Sequence, residues 1–216
     1  MTFPIPISRS SPQNLLLPEI ERPIWVRLLH WLIAFSVLVL IFSGWAIYNA
    51  SPIFPGLRIP KDLTLGGWLG GAIQWHLAAM WLLVVSTTAY LMLNIVTLRL
   101  VRQFLPLSPR SFLLDAAAAM TGKLNHAIVG TYNSVQKAAY LSVFLALLVV
   151  ILSGLAIWKP IQLPLLSNAM GGFDTARVVH FFAMAFLFVF FIVHMVMVAV
   201  VPHTLIGMLT LRRNRK

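Results

Sequence analysis

The chain contains no cysteine. That excludes covalently attached haem of the c type, iron–sulfur clusters held by thiolates, and disulfides. Acidic residues are almost as scarce. The five are Glu19, Glu21, Asp62, Asp115 and Asp174, and none falls within a long apolar run. Proton pumps and ion-coupled transporters generally keep ionisable groups inside their spans, so this scarcity weighs against ion-coupled transport. The first 23 residues are rich in proline and serine and lack the short apolar core and small-residue cleavage site of a secretory signal. The first apolar run is therefore expected to remain as an uncleaved anchor.

What is abundant is hydrocarbon. The chain is 60% hydrophobic and 10% charged, with a mean hydropathy of +0.89, the composition of an integral membrane protein. Crossing a bilayer takes about 20 apolar residues. Four runs meet that length, near 24 to 48, 69 to 97, 137 to 158 and 175 to 201. The expected fold is all-α, an integral membrane four-helix bundle. A segment over 1–23 precedes the membrane domain at 24–201, and a basic tail over 202–216 follows it.

A net charge of +11 would suit a nucleic-acid binder, but the basic residues collect at the ends of the spans, as topology requires. With both termini cytoplasmic, the inner side holds Arg9, Arg22, Arg27, Arg99, Arg102, Arg110, Lys123, Lys137, Arg212, Arg213, Arg215 and Lys216. The outer side holds Arg58, Lys61, Lys159 and Arg177. This bias predicts an N-in, C-in protein whose macromolecular surroundings are the lipid bilayer, with no nucleic acid. In a bacterium the site is the inner, cytoplasmic membrane. The connections near 49 to 68 and 159 to 174 then face the periplasm. The connection from about 98 to 136 is cytoplasmic and is expected to hold a short surface helix, with Ser108 as cap and Pro109 in the first turn.

Four of the six histidines lie in the apolar spans. His180 and His194 are fourteen positions apart on the last one. In a helix that separation is a rise of about 21 Å and four turns less about 40°, so both imidazoles share a face at different depths. His30 is early on the first span and His194 late on the fourth, which places both in the inner layer. His76 and His180 are each early on spans that start outside, which places both in the outer layer. Haem iron takes two axial ligands in a six-coordinate electron-transfer site, so four such histidines suit two non-covalent b haems. His126 and His203 lie outside both layers.

Neighbouring residues fit those layers. Arg27 and Arg177 each precede a histidine by three positions, one turn outward on its face, where a haem propionate would emerge. Gly44 follows His30 by fourteen, and its missing side chain would let a macrocycle approach the helix. The first span ends Ile41-Phe42-Ser43-Gly44-Trp45-Ala46-Ile47-Tyr48 and the third Ile151-Leu152-Ser153-Gly154-Leu155-Ala156-Ile157-Trp158. Read as an old repeat, this match puts Gly154 beside the outer haem as well and sets Tyr140 in the place of His30.

Three stretches carry a resemblance to a known family over about 22 to 211. They are Arg27-x-x-His30-Trp31, Gly130-Thr131-Tyr132-Asn133-Ser134-Val135-Gln136-Lys137 leading to Ile157-Trp158-Lys159-Pro160, and His180 to His194-Met195. They resemble the b-type cytochrome subunits of formate dehydrogenase, nickel-iron hydrogenase and thiosulfate reductase. The resemblance implies a membrane-anchoring di-haem subunit that carries electrons between the quinone pool and a periplasmic oxidoreductase subunit of molybdenum or iron–sulfur type. It implies a quinone site beside the inner haem, with Asn133 as a quinone contact and Tyr132, Gln136 and Lys137 nearby. It also implies an electron-transfer subunit rather than a catalytic subunit on its own.

Two other readings use the same residues. One is a stand-alone di-haem superoxide:quinone oxidoreductase, with Arg58 and Lys61 steering the anion. The other is a haem-free metal transporter using the histidines as ligands. The purified protein is expected to give a reduced-minus-oxidised spectrum with a b-type α band of bis-histidine character; its absence rules out haem.

Overall fold

The computed structural model describes residues 23–99, 109–120 and 134–202, together with 205, 208 and 209. Among these residues the secondary structure is helical. Four long helices are apolar and long enough to cross a membrane: α1 (Ile24–Ala50), α2 (Leu69–Val96), α4 (Ser134–Trp158) and α6 (Phe173–Val200). Shorter ones join them, α3 (Pro109–Met120), α5 (Pro164–Ala169) and a single 3-10 turn at Lys61–Leu63. The long helices match the expected spans to within three residues at each end. Hydrocarbon offers no partner to backbone polar groups, so unbroken helices are what such runs must form. The surface helix appears where Pro109 predicts it, while Ser108 lies outside the described residues. The sequence reading did not anticipate α5.

The long helices alternate in direction. α1 packs most closely on α2, and α4 on α6. A central cluster joins the two pairs: Leu83 from α2, Ala146, Leu147 and Val150 from α4, and Leu187 from α6, with Ile33, Val37 and Leu40 of α1 against them. Its position follows from the helical period. Val37 lies seven residues from both His30 and Gly44, Leu83 seven after His76, Leu147 seven from both Tyr140 and Gly154, and Leu187 seven from both His180 and His194. Seven residues are about 10.5 Å of rise and nearly two turns. The cluster is thus an apolar floor midway between two levels of functional residues, on the same helix faces.

Lipid-facing side chains dominate the surface, and the ends carry interfacial anchors. Arg99 lies over the Trp25 ring at 5.9 Å and Lys159 over Trp158 at 4.7 Å, pairings that suit the headgroup region. In the connection after α1, the Asn49 side chain donates to the Ile59 carbonyl at 2.8 Å and accepts from the Ile59 amide at 3.0 Å. Arg58 donates to the Asn49 carbonyl at 2.6 Å. Arg58 therefore binds the end of α1.

At the start of α4, the Ser134 amide donates to the Asp115 carboxylate and its hydroxyl to Ser111, both at 2.8 Å. A carboxylate at a helix N-terminus satisfies an orphan N–H and opposes the helix dipole. Asp115→Ala is expected to cost about 1 kcal/mol and to lower the thermal midpoint in detergent by about 2–4 °C. An unchanged midpoint would show that α3 does not hold α4.

Candidate haem sites

The helix ends bring the four histidines together in two pairs. The His30 and His194 ring centres are 6.2 Å apart, with planes inclined by 52°. Those of His76 and His180 are 6.3 Å apart, inclined by 61°. The first pair forms a layer at the end of the bundle where α1 begins and α6 ends, here the terminal layer. The second forms a distal layer near the opposite end. These are the pairings the depth argument predicts.

The spacing has a chemical meaning. A metal–imidazole nitrogen bond is about 2.0 Å and a ring nitrogen is about 1.1 Å from its ring centre, so two imidazoles in line across one metal have centres about 6.2 Å apart. Both pairs have that separation. Among the described residues no group of three or more histidine and acidic side chains converges. Each pair thus has the ring separation that one iron held by both imidazoles would require, and a porphyrin would supply the iron's other ligands.

The distal layer lies in a cavity of about 620 Å³, within the roughly 300–1,000 Å³ usual for cofactor pockets. Its floor is the central cluster, through Leu83, Val150 and Leu187, and Ser51, Phe173 and Arg177 lie towards its outer end. Gly44 and Gly154 form opposite parts of its wall. A Cβ added at Gly44 would stand 3.3 Å from Cε1 of His76, and one at Gly154 would stand 3.2 Å from Cε1 of His180. The nearest neighbour of each missing side chain is thus the histidine ring, which refines the expectation that the glycines admit a macrocycle.

Two serines belong to the site and were missed as functional residues. Ser43 Oγ lies 3.0 Å from Nδ1 of His76, and Ser153 Oγ lies 3.0 Å from Nδ1 of His180. Their signal was already in the repeat, where Ser-Gly occurs at matching positions on two helices. The same Ser–His contact therefore recurs in the α1–α2 and α4–α6 pairs.

In the terminal layer, Phe190 stacks on His194, with centres 5.9 Å apart and planes 14° apart, while Trp31 meets His30 edge-on at 5.4 Å. Arg27 is one turn before His30 on α1. Arg177 lines the distal cavity one turn beyond His180. Its guanidinium donates to the Ser51 carbonyl at 2.5 Å and the Ser51 hydroxyl at 3.2 Å. It thereby ties α6 to the C-terminal end of α1, and a propionate there would share it with Ser51. Asn133, Tyr132, His126 and His203 lie outside the described residues, and Gln136 and Lys137 fall in the first turn of α4.

Four apolar helices with two pairs of imidazoles between them suit a membrane cytochrome of the b type. The chain belongs to the prokaryotic cytochrome b561 family, whose sequence profile matches residues 21–213. It is also 51% identical, over 188 residues, to the putative protein-methionine-sulfoxide reductase subunit YedZ1 of Azospira oryzae. That alignment covers 87% of this chain and 94% of the relative. Family membership makes non-covalent haem the cofactor, in keeping with a chain that has no cysteine.

Single His→Ala variants are expected to sort by layer when haem is counted per protein and resolved by α band. His30→Ala and His194→Ala should lose one component, His76→Ala and His180→Ala the other, each with about half the wild-type haem. Any other sorting would contradict the pairing.

Proposed function

We propose that the protein is the di-haem membrane subunit of an envelope oxidoreductase, carrying electrons between the quinone pool and a periplasmic catalytic partner. The observation that carries this reading is the pair of imidazole spacings, 6.2 and 6.3 Å, on helix faces fourteen residues apart. A single haem needs one pair; two pairs stacked along α6 suit a route across the bilayer.

The positive-inside bias assigns the layers: His30 and His194 to the cytoplasmic side of the inner membrane, His76 and His180 to the periplasmic side. Haem, when bound, supplies a one-electron ferric/ferrous couple. The chain's own part is to fix the ligands, keep the midplane dry through Leu83, Leu147 and Leu187, and set positive charge near the propionates through Arg27 and Arg177. Asn133, just before α4, is the proposed quinone contact beside the inner layer, so proton release or uptake occurs on the cytoplasmic side.

The Azospira relative's name suggests the partner's class, a reductase of oxidised methionine. Quinol oxidation yields two electrons and two protons, and reduction of a sulfoxide to a thioether and water consumes two of each. The direction would then be from quinol to the inner layer, the outer layer and the partner. This assignment, unlike the superoxide reading, leaves Arg58 to its bond with the Asn49 carbonyl.

In proteoliposomes, decyl-ubiquinol or menadiol is expected to reduce the haem within the mixing experiment. His30→Ala and His194→Ala should abolish that reduction. Asn133→Ala should slow it about tenfold or more, about 1.4 kcal/mol or more in the barrier, while dithionite still reduces all the haem. Failure of both quinols to reduce the wild type would overturn the quinone link.

A further inference from the structure

The serines beside the distal histidines are defined by what their hydroxyl protons do. Ser43 donates to the Val39 carbonyl at 2.6 Å and Ser153 to the Val149 carbonyl at 2.6 Å, each one turn back on its own helix. Such a bond to the i−4 carbonyl is a usual resting place for serine in an apolar helix. A hydroxyl has one proton. Once a carbonyl, which can only accept, has taken it, the oxygen facing the histidine offers lone pairs alone. The nitrogen 3.0 Å away, Nδ1 of His76 or of His180, must then be the donor.

A neutral imidazole has one N–H, so a proton on Nδ1 leaves Nε2 bare. We infer that Ser43 and Ser153 are positioning residues that fix the tautomer and orientation of His76 and His180, so that each presents Nε2 to the distal haem iron. The adjacent glycines complete the device. Gly44 and Gly154 leave the room that Cε1 occupies, 3.3 and 3.2 Å from where a Cβ would stand. The Ser-Gly dipeptide of one helix thus holds the ligand of its neighbour, once in each half of the bundle. A hydrogen bond from Nδ1–H to an oxygen makes the imidazole a stronger donor to the metal, which favours ferric iron and lowers the potential of the distal haem.

The fold contains its own controls. Ser36 on α1 and Ser86 on α2 are nearly fully buried and donate to the Leu32 and Leu82 carbonyls in the same way. Neither is bonded to a histidine ring among the described residues. A general packing role for buried serines predicts that all four behave alike. A positioning role separates Ser43 and Ser153 from the other two.

The experiment is a potentiometric titration of the purified full-length protein, with the two haems followed in the α band and by low-spin ferric electron paramagnetic resonance. Ser43→Ala and Ser153→Ala are expected to raise the distal midpoint and change its ferric signal, leaving the terminal haem as in the wild type. Loss of haem to an apoprotein acceptor should become about 10- to 100-fold easier at the distal site, the usual effect of removing such a partner. Ser43→Thr, which keeps the hydroxyl, should restore the wild-type midpoint, and Ser36→Ala should move neither haem. The inference is overturned if Ser43→Ala leaves the distal midpoint and signal unchanged, or if Ser36→Ala shifts them equally. It rests on the reading that His76 and His180 hold a haem. A wild type lacking the distal haem would remove that reading, whereas two haems with serine variants identical to wild type would remove this inference alone.

Discussion

Two nitrogen–metal bonds in line would require imidazoles with ring centres about 6.2 Å apart, and on the proposed di-haem reading the four helices must meet that spacing twice. Leucine packing tolerates displacements of an ångström through rotamer changes; an axial ligand pair does not. Both pairs are near the required value, 6.2 and 6.3 Å. α6 contributes to both, so the distance between levels is set within one rigid helix. α1 and α2 then each supply the opposing member of one pair, and α4 supplies none, presenting Ser153 and Gly154 instead.

The rest of the bundle serves those two levels. Between them Leu83, Leu147 and Leu187 fill the midplane, which keeps water from charge moving in a low-dielectric interior. The distal cavity descends to that floor and reaches Arg177 and Ser51 at its other end, giving an elongated space with apolar walls and a polar rim. The guanidinium of Arg177 also ties α6 to α1. The distal layer is symmetric in that each of its histidines has a serine hydroxyl 3.0 Å from Nδ1. The terminal layer is not, since Tyr90 and Tyr140, fourteen residues from His76 and Gly154, stand where a matching repeat would put histidines.

Much of this was legible in the chain. Hydrophobic length and basic ends located the spans to within three residues, because hydrocarbon thickness and unsatisfied backbone groups leave a sequence few choices. The pairing of His30 with His194 and of His76 with His180 followed from depth alone. What was not legible depended on rotation of one helix against another. Serine at 43 and 153 reads as ordinary membrane composition until the neighbouring helix brings an imidazole to it. Gly44, read as room for a macrocycle, has the His76 ring against it. Arg177 reads as a propionate partner from its own helix, and its bond to Ser51 appears only when α1 is in place. The helix α5 follows Pro160 and starts at Pro164, and at six residues it is too short to announce itself by period.

The claim on which the account rests is that both histidine pairs hold haem, one above the other. A density map of the detergent-purified protein by electron cryomicroscopy tests it most directly. The account predicts two planar densities, each continuous with its pair of imidazoles, at levels about 21 Å apart along α6. A single such density, or two that are not joined to His30, His76, His180 and His194, would contradict it.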